Sequence, residues 1–333
     1  ATGACWLVGR VSSFFDIEET TTALYAQGNY DFELADTVIR GNLGLRYVST
    51  DIDSRGTSEI NGVITPSNES SSYSFLLPRF NVAAELTDQI ILRAGIGKDI
   101  RRPNFDSLST STTFGASASG VVDVGNPALE PEQIWSYDLS MEYYFTNSSF
   151  VSIGAFHKER KDLITRIQDQ PAEPIGETGQ IERDVTAPCE NGGIFNPNVP
   201  AENYNVFSSR TDTTGICVIK SSQINASGTE TQTGIEIAGQ YDLSEYEDEL
   251  GWASGFGVIA NYTYQESGEG LTEFRDATNP INQVLGRTDT DNSTPTLADD
   301  VVSERVTLDN LSENAYNFTL FYDKYDLSVR MRY

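Results

Sequence analysis

The segment Gln133 to Phe145, QIWSYDLSMEYYF, constrains the fold more than any other stretch of the chain. Its odd positions carry Trp135, Tyr137, Leu139, Met141, Tyr143 and Phe145; its even positions carry Ser136, Asp138, Ser140, Glu142 and Tyr144. A period of two is the mark of a β-strand, whose successive side chains point to opposite faces. The apolar face is unbroken and aromatic at both ends, as expected where a strand's outer surface meets lipid between two headgroup layers. A half-buried strand of a soluble sandwich also alternates, so the neighbouring segments have to decide.

They repeat the pattern. Thr21 to Tyr30 alternates, a tight connection is expected over Asp31 to Glu33, and Thr37 to Ser49 sets Ile39, Leu43, Leu45 and Tyr47 against Arg40, Asn42 and Arg46. A packed core does not accept Arg beside Asn so regularly, whereas a water-filled lumen does. Asp51 to Ser71, rich in Ser, Asp and Gly, reads as a long loop. Phe80, Val82, Ala84 and Leu86 then alternate with Asn81, Ala83 and Glu85. A turn over Thr87 to Gln89 leads into Ile90, Leu92, Ala94 and Ile96 opposite Arg93 and two glycines, a hairpin by turn length and alternation.

Arg101 to Glu132 reads as a second long loop. Past the Gln133 strand, a turn over Thr146 to Ser149 opens one strand from Phe150 to Ile167, charged from His157 to Asp162 as if leaving hydrocarbon for water. A third loop runs to about Ser222. Gly234 to Tyr241 and Phe256 to Gln265 are strands joined through Leu243 to Gly251, and a loop rich in Asp, Asn and Thr follows. The last hairpin sets Tyr316, Phe318, Leu320 and Tyr322, then Leu327, Val329, Met331 and Tyr333, on one face, with Ser328, Arg330 and Arg332 on the other.

The expected fold is therefore all-β: about ten strands of an antiparallel transmembrane β-barrel, with short periplasmic turns and long extracellular loops at opposite ends. Helical periodicity is nowhere sustained, and no run approaches the roughly 18 apolar residues of a membrane helix. Lys and Arg total 22 against 49 Asp and Glu, a formal charge of −27 that argues against nucleic acid as a partner. Solubility in a salty medium accounts for that acidity; attraction of divalent or basic ligands by acidic loops is the alternative. Cys189 and Cys217 flank a polar, Asn- and Pro-rich segment and are expected to close one loop by a disulfide in an oxidising space. Cys5 is left over, and its partner stays open. The start, ATGACWLVGR, shows no basic segment followed by an apolar core and cleavage site, so a mature or partial chain is expected.

Enzymatic chemistry finds no support. His157 is the only histidine, and AFHKERKD around it holds no nucleophile elbow, so no catalytic residue, metal ligand set or cofactor is assigned. DTDNSTPTLADD (289–300) offers oxygens but lacks EF-hand spacing, and the glycines between Ala94 and Lys98 lie within a strand rather than a phosphate loop.

Three stretches carry a resemblance: RRPNF (101–105), GNPALEPEQIWSYDLSMEYYF (125–145) and LSENAYNFTLFYDKYDLSVRMRY (311–333). In order and spacing they resemble the barrel of a TonB-dependent outer-membrane receptor, within the proteobacterial branch linked to oligosaccharide uptake. The resemblance implies a barrel of about 22 strands whose lumen holds an N-terminal plug with a TonB-engaging segment. Residues 1–333 then read as part of one barrel domain, with plug and TonB segment outside the chain. Had the chain ended naturally at Tyr333, a whole ten-stranded barrel filled by its own side chains would be expected instead.

What the resemblance implies is a non-enzymatic, multi-pass barrel in the bacterial outer membrane that imports a bulky nutrient. Its partners are the TonB complex, outer-membrane lipid and lipopolysaccharide, and the ligand. A sugar would be held by aromatic faces and planar hydrogen-bonding groups. That makes Phe105, Tyr204, Phe207 and Phe274 loop candidates, with Arg93, Asp138 and Glu142 lining the lumen; loop packing is the ordinary role of each aromatic. A ferric siderophore is the alternative substrate, and a passive porin or surface-binding barrel the alternative class.

Overall fold

The computed structural model describes residues 14–60, 63–169, 171, 185, 187–189, 192–200, 214–268, 270–275, 301–306 and 311–333. Its strands are β1 (Phe15–Leu34), β2 (Thr37–Ile60), β3 (Val63–Thr87), β4 (Ile90–Arg101), β5 (Val121–Val124), β6 (Glu132–Tyr144), β7 (Phe150–Lys161) and β8 (Ile164–Asp169). They continue with β9 (Ile194–Asn196), β10 (Ile216–Asn225), β11 (Thr229–Asp242), β12 (Phe256–Gly268), β13 (Gly270–Arg275), β14 (Val301–Val306), β15 (Asn314–Lys324) and β16 (Leu327–Arg332). One ten-stranded sheet takes them in the order β1-β2-β3-β4-β6-β7-β11-β12-β15-β16, with β1 and β16 as its edges. All its pairings are antiparallel, as a barrel wall built of successive hairpins requires.

Register decides which residues share a face. Ala94, Leu139 and Ala155 lie opposite one another across β4, β6 and β7, and Val258 and Leu320 across β12 and β15. This face carries Leu43, Leu139, Ile153, Ile237, Phe318 and Val329, all exposed. Soluble monomers rarely leave so continuous an apolar surface in water. At the turn end the belt closes with aromatic contacts: Tyr143 to Phe145 and Phe145 to Tyr241, each with ring centroids 5.9 Å apart, and Phe256 to Tyr322 at 4.9 Å. Rings with a polar edge suit that boundary between hydrocarbon and headgroup.

Several boundaries differ from those the sequence suggests. The first turn is Ala35–Asp36 rather than Asp31 to Glu33, with φ of 49° and 65°. Tyr325–Asp326 repeats it, with 54° and 61°. Two successive positive φ values match the twist of a two-residue hairpin, which outweighs the steric cost at a non-glycine residue. At the next turn the Thr87 hydroxyl accepts from the backbone N–H of Gln89 and Ile90, at 3.2 and 3.0 Å.

Asp51 to Ser71 is no loop: β2 and β3 run 24 and 25 residues and stay paired to Ile60↔Val63. They are roughly twice as long as the 12-residue β4, so the hairpin projects about 40 Å past it. Polar composition misled because strand pairing, not apolar content, holds this projection. Phe150 to Ile167 is likewise two strands, broken at Asp162 (φ 57°), where the chain leaves the wall. The connection after β11 runs to Gly255 through short helical turns.

The buried core lies at the long-loop end. The inner face of β2 changes from Arg40, Asn42, Gly44 and Arg46 to Val48, Thr50, Ile52 and Ser54, all four of the latter buried. Val48, Ile52, Tyr73 and Phe75 pack against Leu108 and Leu129 of the 102–131 connection. That connection therefore folds inward instead of standing out in solvent. A second cluster, Ala118, Val122, Val199, Ile216 and Val218, sits within a small sheet in which β10 pairs β5, β8 and β9. The expected disulfide Cys189–Cys217 is present, with Cα atoms 5.9 Å apart.

Residues 125–133 clasp this insert to the wall. The Asn225 amide donates to the carbonyls of Glu130 (2.8 Å) and Asp162 (2.9 Å), and the N–H of Glu130 returns a bond to the Asn225 side chain at 2.9 Å. Glu132, 1% exposed, accepts from Arg101 at 2.8 Å and from the Ile164 N–H at 3.1 Å.

Half-burial at the end of β8 pushes the Asp169 carboxyl above its ordinary range, against the opposing pull of the Gly193 N–H and of Lys220. The folded insert then holds a proton that the unfolded one releases, so this group stabilises at low pH and that contribution is lost as pH rises from about 4. Asp169→Asn is expected to flatten the pH dependence of amide hydrogen exchange in β8 and β10. An unchanged profile between pH 4 and 7 would refute it.

Candidate functional site

The inner face of the wall carries a hollow of about 710 Å3 over β1, β2, β3, β4 and β6. Antiparallel register aligns Asn29, Asn42, Asn81, Gly95 and Asp138 in one row across five strands. The adjacent row is Asp31, Arg40, Ala83, Arg93 and Ser140. Neighbouring strands lie about 4.8 Å apart, so planar polar groups recur along each row at that interval. Gly95 and Ala83 keep the centre of the patch low.

The charges in this hollow are compensated. Arg40 contacts Glu85 at 2.9 Å and Asp31 at 3.4 Å. Arg93 donates from Nε to Glu142 Oε1 at 2.8 Å and from Nη2 to Oε2 at 3.3 Å, and the Tyr144 hydroxyl donates to Oε2 at 3.0 Å. The forked Arg93 pair fixes both side chains, while its contribution to stability in a wet lumen is only about 0.2–1 kcal/mol. Asn81 donates to Asn42 Oδ1 at 2.9 Å. The side chains of Asp138 and Ser140 make no hydrogen bond or ion pair with protein among the described residues, and both line the hollow. The surface is a preorganised lattice of amides, carboxylates and hydroxyls without an unpaired cation.

Of the sequence-derived candidates, Arg93, Asp138 and Glu142 meet here. Phe105 does not: it is exposed on the short turn Phe105–Leu108 at the loop end. Phe274 is in β13, and Tyr204 and Phe207 lie outside the described residues, as does 289–300. His157, on the outer face of β7, accepts from or donates to the Thr233 hydroxyl at 2.7 Å. Asn29, Asp31 and Asn81 were not singled out from the sequence. Alternation put Asn81 on a polar face, Asp31 was expected in a turn, and only register shows that the three lie near one another on the inner face.

Residues 3–333 match the family described as TonB dependent receptor-like, beta-barrel. The chain belongs to the TonB-dependent receptors. Members of this family are outer-membrane β-barrels and transporters rather than enzymes. The exposed apolar belt and the antiparallel hairpin order fit that assignment, and no helix among the described residues is long and apolar enough to cross a membrane.

Among solved structures, the fold is similar to a double mutant of the Serratia marcescens hemophore receptor HasR in complex with its hemophore HasA and heme. The two share 14% identity over 96% of this chain and 51% of that one, with a TM-score of 0.50. The siderophore receptor PiuA of Acinetobacter baumannii shares 12% identity over 92% of this chain and 32% of its own, TM-score 0.46. The ferric-catecholate import receptor Fiu of Escherichia coli K12 shares 13% over 94% and 33%, TM-score 0.46. The chain thus spans about half of the first receptor and a third of the other two. None of the curated proteins matches significantly.

Proposed function

We propose that the chain forms part of a receptor that imports a neutral oligosaccharide across the outer membrane with energy relayed through TonB. The row Asn29, Asn42, Asn81, Asp138 carries this reading. Sugars present hydroxyls at intervals of a few ångströms, and planar amide and carboxylate groups can each donate to or accept from them. Because Arg40 and Arg93 are already paired, the hollow has no free cation to attract an anionic ferric chelate. In the proposed cycle the loops and upper lumen take up the sugar, and the hollow holds it by hydrogen bonds. A plug drawn by TonB, from a part of the receptor outside this chain, then opens the path. Lipid and lipopolysaccharide surround the apolar belt.

The full receptor in detergent should bind neutral oligosaccharides, and Asn81→Ala combined with Asp138→Ala should weaken binding roughly tenfold, since two hydrogen-bonding groups of the hollow are lost. Binding of ferric siderophores alone would assign the other substrate class. Sugar uptake that persists after loss of TonB would favour a porin or a surface-binding barrel.

A further inference from the structure

Among the described residues, the connections at the turn end are short, namely Ala35–Asp36, 88–89, 145–149 and Tyr325–Asp326, with one exception. Between β11 and β12 the chain runs through three short helical segments, Ser244–Tyr246, Glu247–Leu250 and Gly251–Gly255. Its charge is one-sided. No Lys or Arg occurs from Ser221 to Phe274, while Glu245, Glu247, Asp248 and Glu249 crowd into this connection.

The connection is held in one place by β15. Lys324 donates to the Gly251 carbonyl at 2.7 Å and to the Ser254 hydroxyl at 2.6 Å, and pairs with Glu247 at 2.9 Å. The Ser254 hydroxyl donates to the Gly251 carbonyl at 2.8 Å, and the Tyr246 N–H to the Leu243 carbonyl at 3.0 Å. Gly251 turns the chain with a φ of 54°, a conformation that glycine adopts without steric cost.

Held in this way, the connection leaves Tyr246, Leu250 and Trp252 exposed, Trp252 by 64%. Tyr246 and Leu250 are four residues apart and so share one helical face. That face continues the exposed apolar belt on both sides. Tyr246 reaches the hydroxyl of Tyr241, and Trp252 stands edge-on to Phe256 with ring centroids 5.9 Å apart. Tyr241 and Phe256 are themselves boundary residues of the belt, in contact with Phe145 and Tyr322.

We infer that residues 243–255 form an interfacial anchor that selects zwitterionic, ammonium-bearing phospholipid headgroups over anionic ones. Short turns mark the periplasmic end of such a barrel. The apolar face therefore enters the periplasmic leaflet beside the belt, at the depth where Trp and Tyr rings settle. Glu245, Asp248 and Glu249 are exposed there and have no basic partner among the described residues, because the nearby Lys324 is committed to Glu247. Carboxylates so placed repel a net-anionic headgroup and accept hydrogen bonds from an ammonium group. The rings of Tyr246 and Trp252 attract the same cation. The inference rests on the belt facing lipid and holds for any cargo.

The test is fluorescence quenching in the full receptor, reconstituted in mixed vesicles of phosphatidylethanolamine and phosphatidylglycerol with brominated acyl chains on one lipid at a time. The Trp252 signal is the difference between wild type and Trp252→Phe. Brominated phosphatidylethanolamine should quench it with a relative association constant roughly fivefold that of brominated phosphatidylglycerol. In Glu245→Gln/Asp248→Gln/Glu249→Gln the preference should vanish while Trp252 stays quenched. That variant keeps Glu247, Gly251 and Ser254, the groups that Lys324 holds, and heat-modifiable gel migration would verify its fold. Trp252 unquenched by either lipid would place the connection in water and overturn the anchor. Equal quenching in wild type, or a preference that survives the triple substitution, would overturn headgroup selection. Each of these results leaves the import reading intact.

Discussion

Leu139→Arg is expected to destabilise the folded barrel by about 2–4 kcal/mol, the cost of placing a guanidinium at mid-depth on a lipid-facing surface. Leu139 is exposed, lies between the aromatic ends of its strand, and has Ala94 and Ala155 beside it in register. Nothing there could pair with the charge. Asn317→Arg provides the contrast, because Asn317 pairs with Asn261 on the inner face and an arginine there stays in water. Urea unfolding of the full receptor in lipid vesicles reads both variants. Equal losses would mean that the face carrying Leu139 does not meet lipid.

Removing the Cys189–Cys217 disulfide by a double serine substitution is expected to cost the loop insert about 2–5 kcal/mol. The two cysteines are 28 residues apart, and in the chain-entropy account closing such a loop contributes about 3–4 kcal/mol. Cys217 is fully buried, and its neighbours Ile216 and Val218 belong to the second apolar cluster. The loss should therefore appear as proteolysis and fast hydrogen exchange in β8, β9 and β10. Gel migration of the barrel should stay unchanged, because the wall is hydrogen-bonded independently of the insert. Equal protease resistance with and without the disulfide would show that the two clusters suffice alone.

The sequence by itself determined the wall. Alternation along Trp135 to Phe145 and Leu327 to Tyr333 is a local property, and in a strand it sets which residues meet lipid and which meet the lumen. Short turns between such strands leave only antiparallel neighbours, so the ten-stranded order was legible, as were the placement of Arg93, Asp138 and Glu142 on the inner face and the pairing of Cys189 with Cys217.

Tertiary structure decided the rest. Residues 51–71 have loop composition, yet 51–60 and 63–71 are kept in strand form by the pairing of the 24-residue β2 with the 25-residue β3, since a hairpin satisfies its own backbone groups wherever water covers one face. The 102–131 connection is rich in Ser, Thr and Gly, and Leu108 and Leu129 within it gain a core because Val48 and Ile52 replace the arginines and asparagine on the inner face of β2 beyond Arg46. The row Asn29, Asn42, Asn81, Asp138 spans residues far apart in the chain. Each is an ordinary polar position within its own strand. Their alignment follows from hairpin register, which the turns at Ala35–Asp36 and Asp88–Gln89 fix and which no single stretch of sequence displays.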